Sequence, residues 1–80
     1  MEKRIGVVSI LINDKTHVPV LNRILSDYSE IILGRMGLPM RDKGIQIIAL
    51  IVEGSTDDLG ALTGKLGRLD GIRVKSLLNK

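Results

Sequence analysis

The polar side chains best placed for chemistry follow the first apolar stretch of the chain. Asn13, Asp14 and Thr16 lie where RIGVVSILI gives way to a helical pattern, and His17 comes next. Amide, carboxylate and hydroxyl groups there would suit a small polar ligand, and an imidazole would suit an anion at the helix start. These residue types also cap helices, and a lone histidine beside a loop is commonly solvated. Both interpretations stay open.

Basic residues around a predicted connection between two strands form a second candidate. Arg35, Arg41 and Lys43 flank that connection, where they would suit an anion. The alternative is that these charges keep a hairpin soluble. The ligand-binding candidates are therefore Asn13, Asp14, Thr16, His17, Arg35 and Arg41.

The sequence offers little for catalysis or metal binding. It has no cysteine and a single histidine, and it shows neither a nucleophile paired with a base nor a phosphate-binding glycine loop. Asp57, Asp58 and Asp70 suit a helix dipole and a turn better than a metal. We expect no enzyme activity, no catalytic residue, no metal and no cofactor.

Composition limits the partners. The net charge is +3, but the basic residues are spread along the chain and Tyr28 is the one aromatic residue, so no base-stacking surface is indicated. We do not expect direct nucleic-acid binding. The start MEKRIGVV lacks the apolar core of a signal peptide, and no apolar run approaches the ~20 residues of a membrane span. We expect a cytoplasmic protein without membrane association.

Two stretches predict the central strands of a sheet. KGIQIIALIVEG, residues 43–54, and RIGVVSILI, residues 4–12, are both apolar at odd and at even positions. Alternate side chains of a strand point to opposite faces, so both faces of these strands are apolar. Four isoleucines and a valine between two glycines favour a strand over a helix for residues 43–54.

The remaining elements follow from helical spacing and turn residues. We predict a helix capped by Asp14 or Thr16, with Pro19 in its first turn, ending near Ser26 or Asp27. Its apolar stripe comprises Val18, Leu21, Leu25 and Tyr28, widened by Val20 and Ile24. A second helix begins after a capping box of Ser55 and Asp58. It buries Leu59, Leu62, Leu66 and Leu69.

The edge strands are less apolar. We predict one over Glu30–Met36, followed by a loop at Gly37–Asp42, and another over Ile72–Leu78, where charged and apolar residues alternate. The order is the β-α-β-β-α-β sandwich of the ferredoxin-like fold, an α+β class. We therefore expect one domain, residues 1–80, with a four-stranded antiparallel sheet and two helices on one face.

Two helices cover one face of such a sheet, which leaves the apolar residues of the other face without cover. We predict that this face packs against another subunit, although scattered exposed aliphatics would be the simpler interpretation. Alternation leaves open which set of residues the helices cover, and we assign Val8, Ile10, Ile48 and Leu50 to the interface. Three glycines on one side of the second helix suit close approach of a backbone or ligand, or merely a short irregular helix. They are Gly60, Gly64 and Gly67.

The stretches IILGRMGLPMRDKGI and IALIVEGSTDDLGALTGKLGRLDGIRVKS carry a resemblance over essentially the full length. With this order of elements, the chain resembles the family of putative iron-only hydrogenase system regulators. That family is similar in fold to ACT domains and to the metal-sensing domain of the nickel-responsive repressor. The resemblance implies assembly through sheets and effectors at subunit interfaces.

The sequence differs from these relatives at residues that their ligand sites use, so those sites are not expected here. The repressor binds nickel through several histidines and a cysteine, whereas this chain has one histidine and no cysteine. ACT domains that bind amino acids usually have an aspartate and a glycine in the loop after the first strand. Asp14 is present here, but no glycine lies between Asn13 and Asn22. We expect a non-enzymatic regulatory module that forms a homo-oligomer, a dimer or tetramer, and that senses a small molecule or docks on a protein partner. The alternative is a purely structural interaction module without an effector.

Overall fold

The sheet has four antiparallel strands in the order β2-β3-β1-β4. The structure, a computed structural model, describes residues 2–79. The main elements are β1 (Arg4–Ile12), α1 (Val18–Asp27), β2 (Ile32–Met40), β3 (Ile45–Gly54), α2 (Thr56–Gly67) and β4 (Ile72–Leu78). The two strands that are apolar on both faces lie in the centre, which confirms the predicted ferredoxin-like fold.

The core lies between the sheet and the two helices. It is built from aliphatic side chains that are almost completely buried, and the sheet contributes alternate residues of β1 and β3. The members are Val8, Ile10, Ile12, Leu21, Leu25, Ile48, Leu50, Val52, Leu59, Leu62, Leu66 and Ile72. The predicted stripes of both helices are confirmed, except that Val20 is 42% exposed and does not join the core.

The assignment of Val8, Ile10, Ile48 and Leu50 to a subunit interface is wrong. Their exposed fractions are 0 to 3%, because both helices pack on the face that carries them. Because the chain's own helices cover these four side chains, they cannot contact a partner subunit.

The uncovered side of the sheet, here termed the open face, carries the other alternating set. Val7 pairs with Ile51 and with Leu77 across the sheet, and directly opposed residues lie on one face. The open face comprises the apolar residues Ile5, Val7, Leu11, Met36, Leu38, Met40, Ile45, Ile47, Ala49, Ile51 and Leu77, with Ser9, Glu53, Arg73 and Lys75.

The predicted bounds of β2 are wrong at both ends. Residues 29–31 form a short 3-10 turn, and the strand continues through Gly37 and Pro39 to Met40, where a loop was expected. An edge strand has a partner on one side only, so a proline can be accommodated where its missing N–H faces outward. The chain turns instead at Gly44, which has a positive φ of 68°.

The predicted start of α2 is confirmed, and α1 begins differently. The Ser55 hydroxyl accepts the N–H of Asp58 at 3.1 Å, as a helix cap does. A 3-10 turn at residues 15–17, capped by Asp14, precedes α1, and Pro19 lies in the first turn of that helix. Lys65 of α2 lies 5.1 Å from the ring centre of Tyr28, which joins the two helices through a cation–π contact.

Candidate functional site

The turn after β1 brings together the first group of predicted site residues. Thr16 donates its backbone N–H and its hydroxyl to Oδ1 of Asp14, at 2.9 and 2.6 Å. These hydrogen bonds hold the pKa of Asp14 below its ordinary value, and the bond from the Thr16 hydroxyl has the larger effect. The carboxylate is therefore ionised at neutral pH and acts as the cap of the 3-10 turn.

The same turn is tied through the main chain to the turn that precedes β4. Asn13 and Asp14 both donate their N–H groups to the carbonyl oxygen of Gly71, at 2.7 and 3.3 Å. Asn13, Asp14 and Thr16 are exposed and His17 is half-buried. The structure thus confirms the capping interpretation of Asp14, and a ligand at this turn stays a prediction.

Arg35 and Arg41 do not come together. Arg35 lies within β2 opposite Leu50, whereas Arg41 lies in the 3-10 turn beyond the end of the strand. Six residues of extended chain separate their Cα atoms by about 20 Å. One shared anion site between these two side chains is therefore not supported.

Arg35 instead lines a groove between α1 and β2, here termed the α1–β2 groove. The groove has a volume of about 410 Å³. It combines polar side chains with an apolar floor of Leu25 and Ile32. The polar side chains are those of Asn22, Ser26, Ser29 and Arg35. Sequence reasoning singled out Arg35 and missed the other three, because nothing local shows which face of α1 lies beside β2.

The open face has two shallow depressions. One, of about 470 Å³, is lined mainly by apolar side chains that include Ile5, Val7, Ile51 and Leu77. The other, of about 260 Å³, lies beside Leu11 and Ile47 and has Arg73 and Lys75 on its rim. The face is therefore apolar over most of its area and basic at one corner.

The three α2 glycines have open space around them within this chain. A Cβ atom built at Gly60, Gly64 or Gly67 would meet no atom within 4 Å, and none of the three has a positive φ. The helix is regular through all three positions. Neither backbone conformation nor packing within the described residues accounts for them.

Replacing Gly60 and Gly64 by alanine is therefore expected to raise the free energy of unfolding by about 1 kcal/mol each, because alanine has the higher helix propensity. Chemical denaturation followed by circular dichroism measures the free energy of unfolding. Gly67→Ala is the control, and we expect a smaller gain in stability from it because Gly67 lies at the end of the helix. Lower stability, or a smaller assembly, would show that a partner covers this side of α2.

No helix within residues 2–79 has both the length and the apolar character that crossing a membrane requires. In the same part of the chain, no three His, Cys, Asp or Glu residues come together as a metal site would need. One ion pair is present among the described residues, between Arg4 and Glu2 at 3.8 Å.

A four-stranded antiparallel sheet with two helices on one face and an apolar second face defines an ACT-like domain of the ferredoxin type. The crystal structure of the ACT domain from GTP pyrophosphokinase of Chlorobium tepidum is similar, with a TM-score of 0.77 at 22% identity over 95% of this chain and 100% of that one. At this identity the likeness shows the fold alone.

The chain belongs to the TM1266-like family, described as the putative iron-only hydrogenase system regulator, whose sequence profile matches residues 4–76. The structure of the uncharacterized protein TM1266 from Thermotoga maritima has a TM-score of 0.93 at 38% identity, covering 99% of this chain and 100% of that one. The resemblance noted in the sequence is confirmed. No curated protein sequence matches the chain.

A more distant fold likeness involves a regulatory protein. The nitrogen regulatory PII-like protein CPII from Thiomonas intermedia K12, bound to ADP, AMP and bicarbonate, has a TM-score of 0.53 at 10% identity, with all of both chains covered.

Proposed function

We propose that the protein is a non-enzymatic regulatory module whose subunits assemble through the open face, and that a bound small molecule shifts this assembly. The observation that carries the proposal is the exposure of apolar residues on the sheet: Val7 is 40% exposed, Ile51 44% and Leu77 77%. Soluble single domains rarely leave so continuous an apolar surface in water.

The size of the open face suits a second copy of the chain. Four strands about 4.8 Å apart and about nine residues long cover roughly 550 Å². Two such faces in contact would remove roughly 1,100 Å² of flat area from water, near the lower end of the range for stable interfaces. A small domain also gains most from such contact, because it buries a limited share of its own surface.

A ligand would regulate such an assembly through its unequal affinity for the free and assembled subunits. Binding shifts an equilibrium only by the difference between the two affinities. The family's description as a regulator and the ACT-like fold support this role. The PII-like neighbour of similar fold is bound to ADP, AMP and bicarbonate, which supports a small-molecule ligand for this chain. The dimeric or tetrameric state and the cytoplasmic location remain predictions from the sequence.

A purely structural module that docks on another protein is the second candidate. One observation favours it: the Asp14 carboxylate, a predicted ligand group, is already engaged by Thr16 in capping its own turn. This candidate requires the open face to bind a partner other than a second copy, and it predicts that the purified protein carries no small molecule.

Native mass spectrometry with Val7→Lys and Val20→Lys tests the proposal. The two valines are 40% and 42% exposed, but Val7 lies on the open face and Val20 on α1. We expect the wild type and Val20→Lys to be oligomeric and Val7→Lys to be monomeric, because burying an unpaired ammonium is unfavourable. Bound extra mass would support an effector.

Two results would contradict the assembly. One is a wild-type protein that is monomeric at micromolar concentration. The other is a Val7→Lys variant that remains as large as Val20→Lys. A monomer that captures no ligand would favour the structural alternative.

A further inference from the structure

We propose that the α1–β2 groove binds a small molecule that carries an oxyanion, a carboxylate or a phosphate, and that Arg35 is the residue that pairs with it. This inference deepens the proposed function, since it gives the effector a site and a chemical class. The site lies on the helix side of the sheet, away from the turn at Asp14 and away from the open face.

The charge around the groove selects an anion. Arg35 is exposed and forms no ion pair with any residue between 2 and 79. The described residues that line the groove include no Asp or Glu. A guanidinium presents a planar set of N–H donors that matches the two oxygens of a carboxylate or phosphate. A free guanidinium in a concave site therefore favours a ligand with such a group.

The rest of the lining sets the remaining features of the ligand. Asn22 and Ser26 lie one turn apart on the same side of α1, and Ser29 follows in the next turn. They offer both donors and acceptors beside the apolar side chains of Leu25 and Ile32. Small-ligand sites combine an apolar floor with a few polar groups, and the volume of about 410 Å³ lies in their range. The ligand should therefore carry hydroxyl, amide or amino groups as well as its anion.

The backbone of β2 is irregular at the groove. Ile32 pairs with Val52 and Gly34 with Ile51, so Leu33 is an extra residue in a bulge. A Cβ atom at Gly34 would meet nothing within 4 Å, and its φ is not positive, so neither packing nor conformation requires a glycine there. Bulges commonly redirect side chains next to binding sites. Gly34 lines the groove with its backbone only, because its partner Ile51 places the missing side chain on the open face.

The test is a titration of the ¹⁵N-labelled full chain followed by heteronuclear NMR, with two probes used separately. Inorganic phosphate represents the phosphate class, and succinate represents the carboxylate class. We expect saturable shifts at the amides of Ser26, Ser29 and Arg35 with at least one probe, and the probe that binds identifies the class. Arg35→Ala should weaken that binding at least about tenfold, because a charge-assisted pair is lost.

Arg23→Ala is the matched control. Arg23 lies on α1 beside Asn22 and is exposed, but it does not line the groove, so its removal changes the net charge equally. Binding within about twofold of wild type is expected for this variant, since only screened long-range attraction is lost.

Three results would overturn the proposal: no saturable shift with either probe, equal weakening in Arg23→Ala and Arg35→Ala, or shifts confined to the turn at Asp14. These results differ from a failure of the assembly. If the protein is an oligomer by mass spectrometry but binds neither probe in the groove, only the proposal for the groove is contradicted. If it is a monomer that binds a probe in the groove, only the proposed open-face assembly is contradicted.

Discussion

Replacing Leu62 by alanine is expected to lower the free energy of unfolding by about 2 to 5 kcal/mol. Leu62 is completely buried at the centre of α2, among the leucines and isoleucines of the core. The loss combines the apolar surface returned to water with a cavity that the surrounding aliphatic side chains fill only in part. Small domains have a total stability of about 5 kcal/mol or somewhat more, so this variant should be largely unfolded on mild heating.

Leu33→Ala is the control for this prediction, because it removes the same atoms from a side chain that is 59% exposed. We expect a loss within about 0.5 kcal/mol of zero. Urea denaturation followed by circular dichroism measures both variants. The protein concentration is held constant, since subunit dissociation contributes to apparent stability. Equal losses would contradict the placement of the core beneath α2.

Replacing Gly71 by alanine is expected to cost about 2 to 5 kcal/mol through two separate effects. Gly71 has a φ of 78°, a left-handed conformation that costs other residues about 1 to 2 kcal/mol. A Cβ atom there would also lie 2.5 Å from Cβ of Asp14 and 3.3 Å from its backbone nitrogen. Relieving that overlap separates the turn after β1 from the turn before β4, at a further cost of about 1 to 3 kcal/mol.

Gly44→Ala separates the two effects. Gly44 also has a positive φ, 68°, but a Cβ atom there would meet nothing within 4 Å. We therefore expect Gly44→Ala to show the conformational cost alone, and Gly71→Ala to exceed it by about 1 to 3 kcal/mol in the same denaturation experiment. Equal costs would mean that the two turns do not pack as closely as the structure shows.

Much of the fold could be predicted because local and long-range preferences agree. Residues 4–12 and 43–54 are apolar at both odd and even positions, a pattern typical of strands in the centre of a sheet. In the structure these residues form the central strands β1 and β3. Ser55 and Asp58 mark the start of α2 by a local hydrogen bond that the sequence alone indicates.

The edge strand β2 could not be predicted as well, because Gly37 and Pro39 normally interrupt strands. Pairing with β3 holds both residues in an extended conformation, from Gly37 opposite Ile48 to Pro39 opposite Gln46. Such pairing depends on residues distant in the sequence. The α1–β2 groove was missed for the same reason: Asn22 and Ser26 meet Arg35 only where α1 packs beside β2.

The sequence by itself determined the order of the elements, the two central strands, the cap of α2 and the family. Period-two alternation also determined that each central strand has two apolar sets of side chains. Only the tertiary structure decided which set the helices cover, because that depends on the neighbours of each strand and on the direction of the α1 crossover. It thereby buried Val8 and Leu50, left Val7 and Ile51 on the open face, and placed Arg35 beside α1.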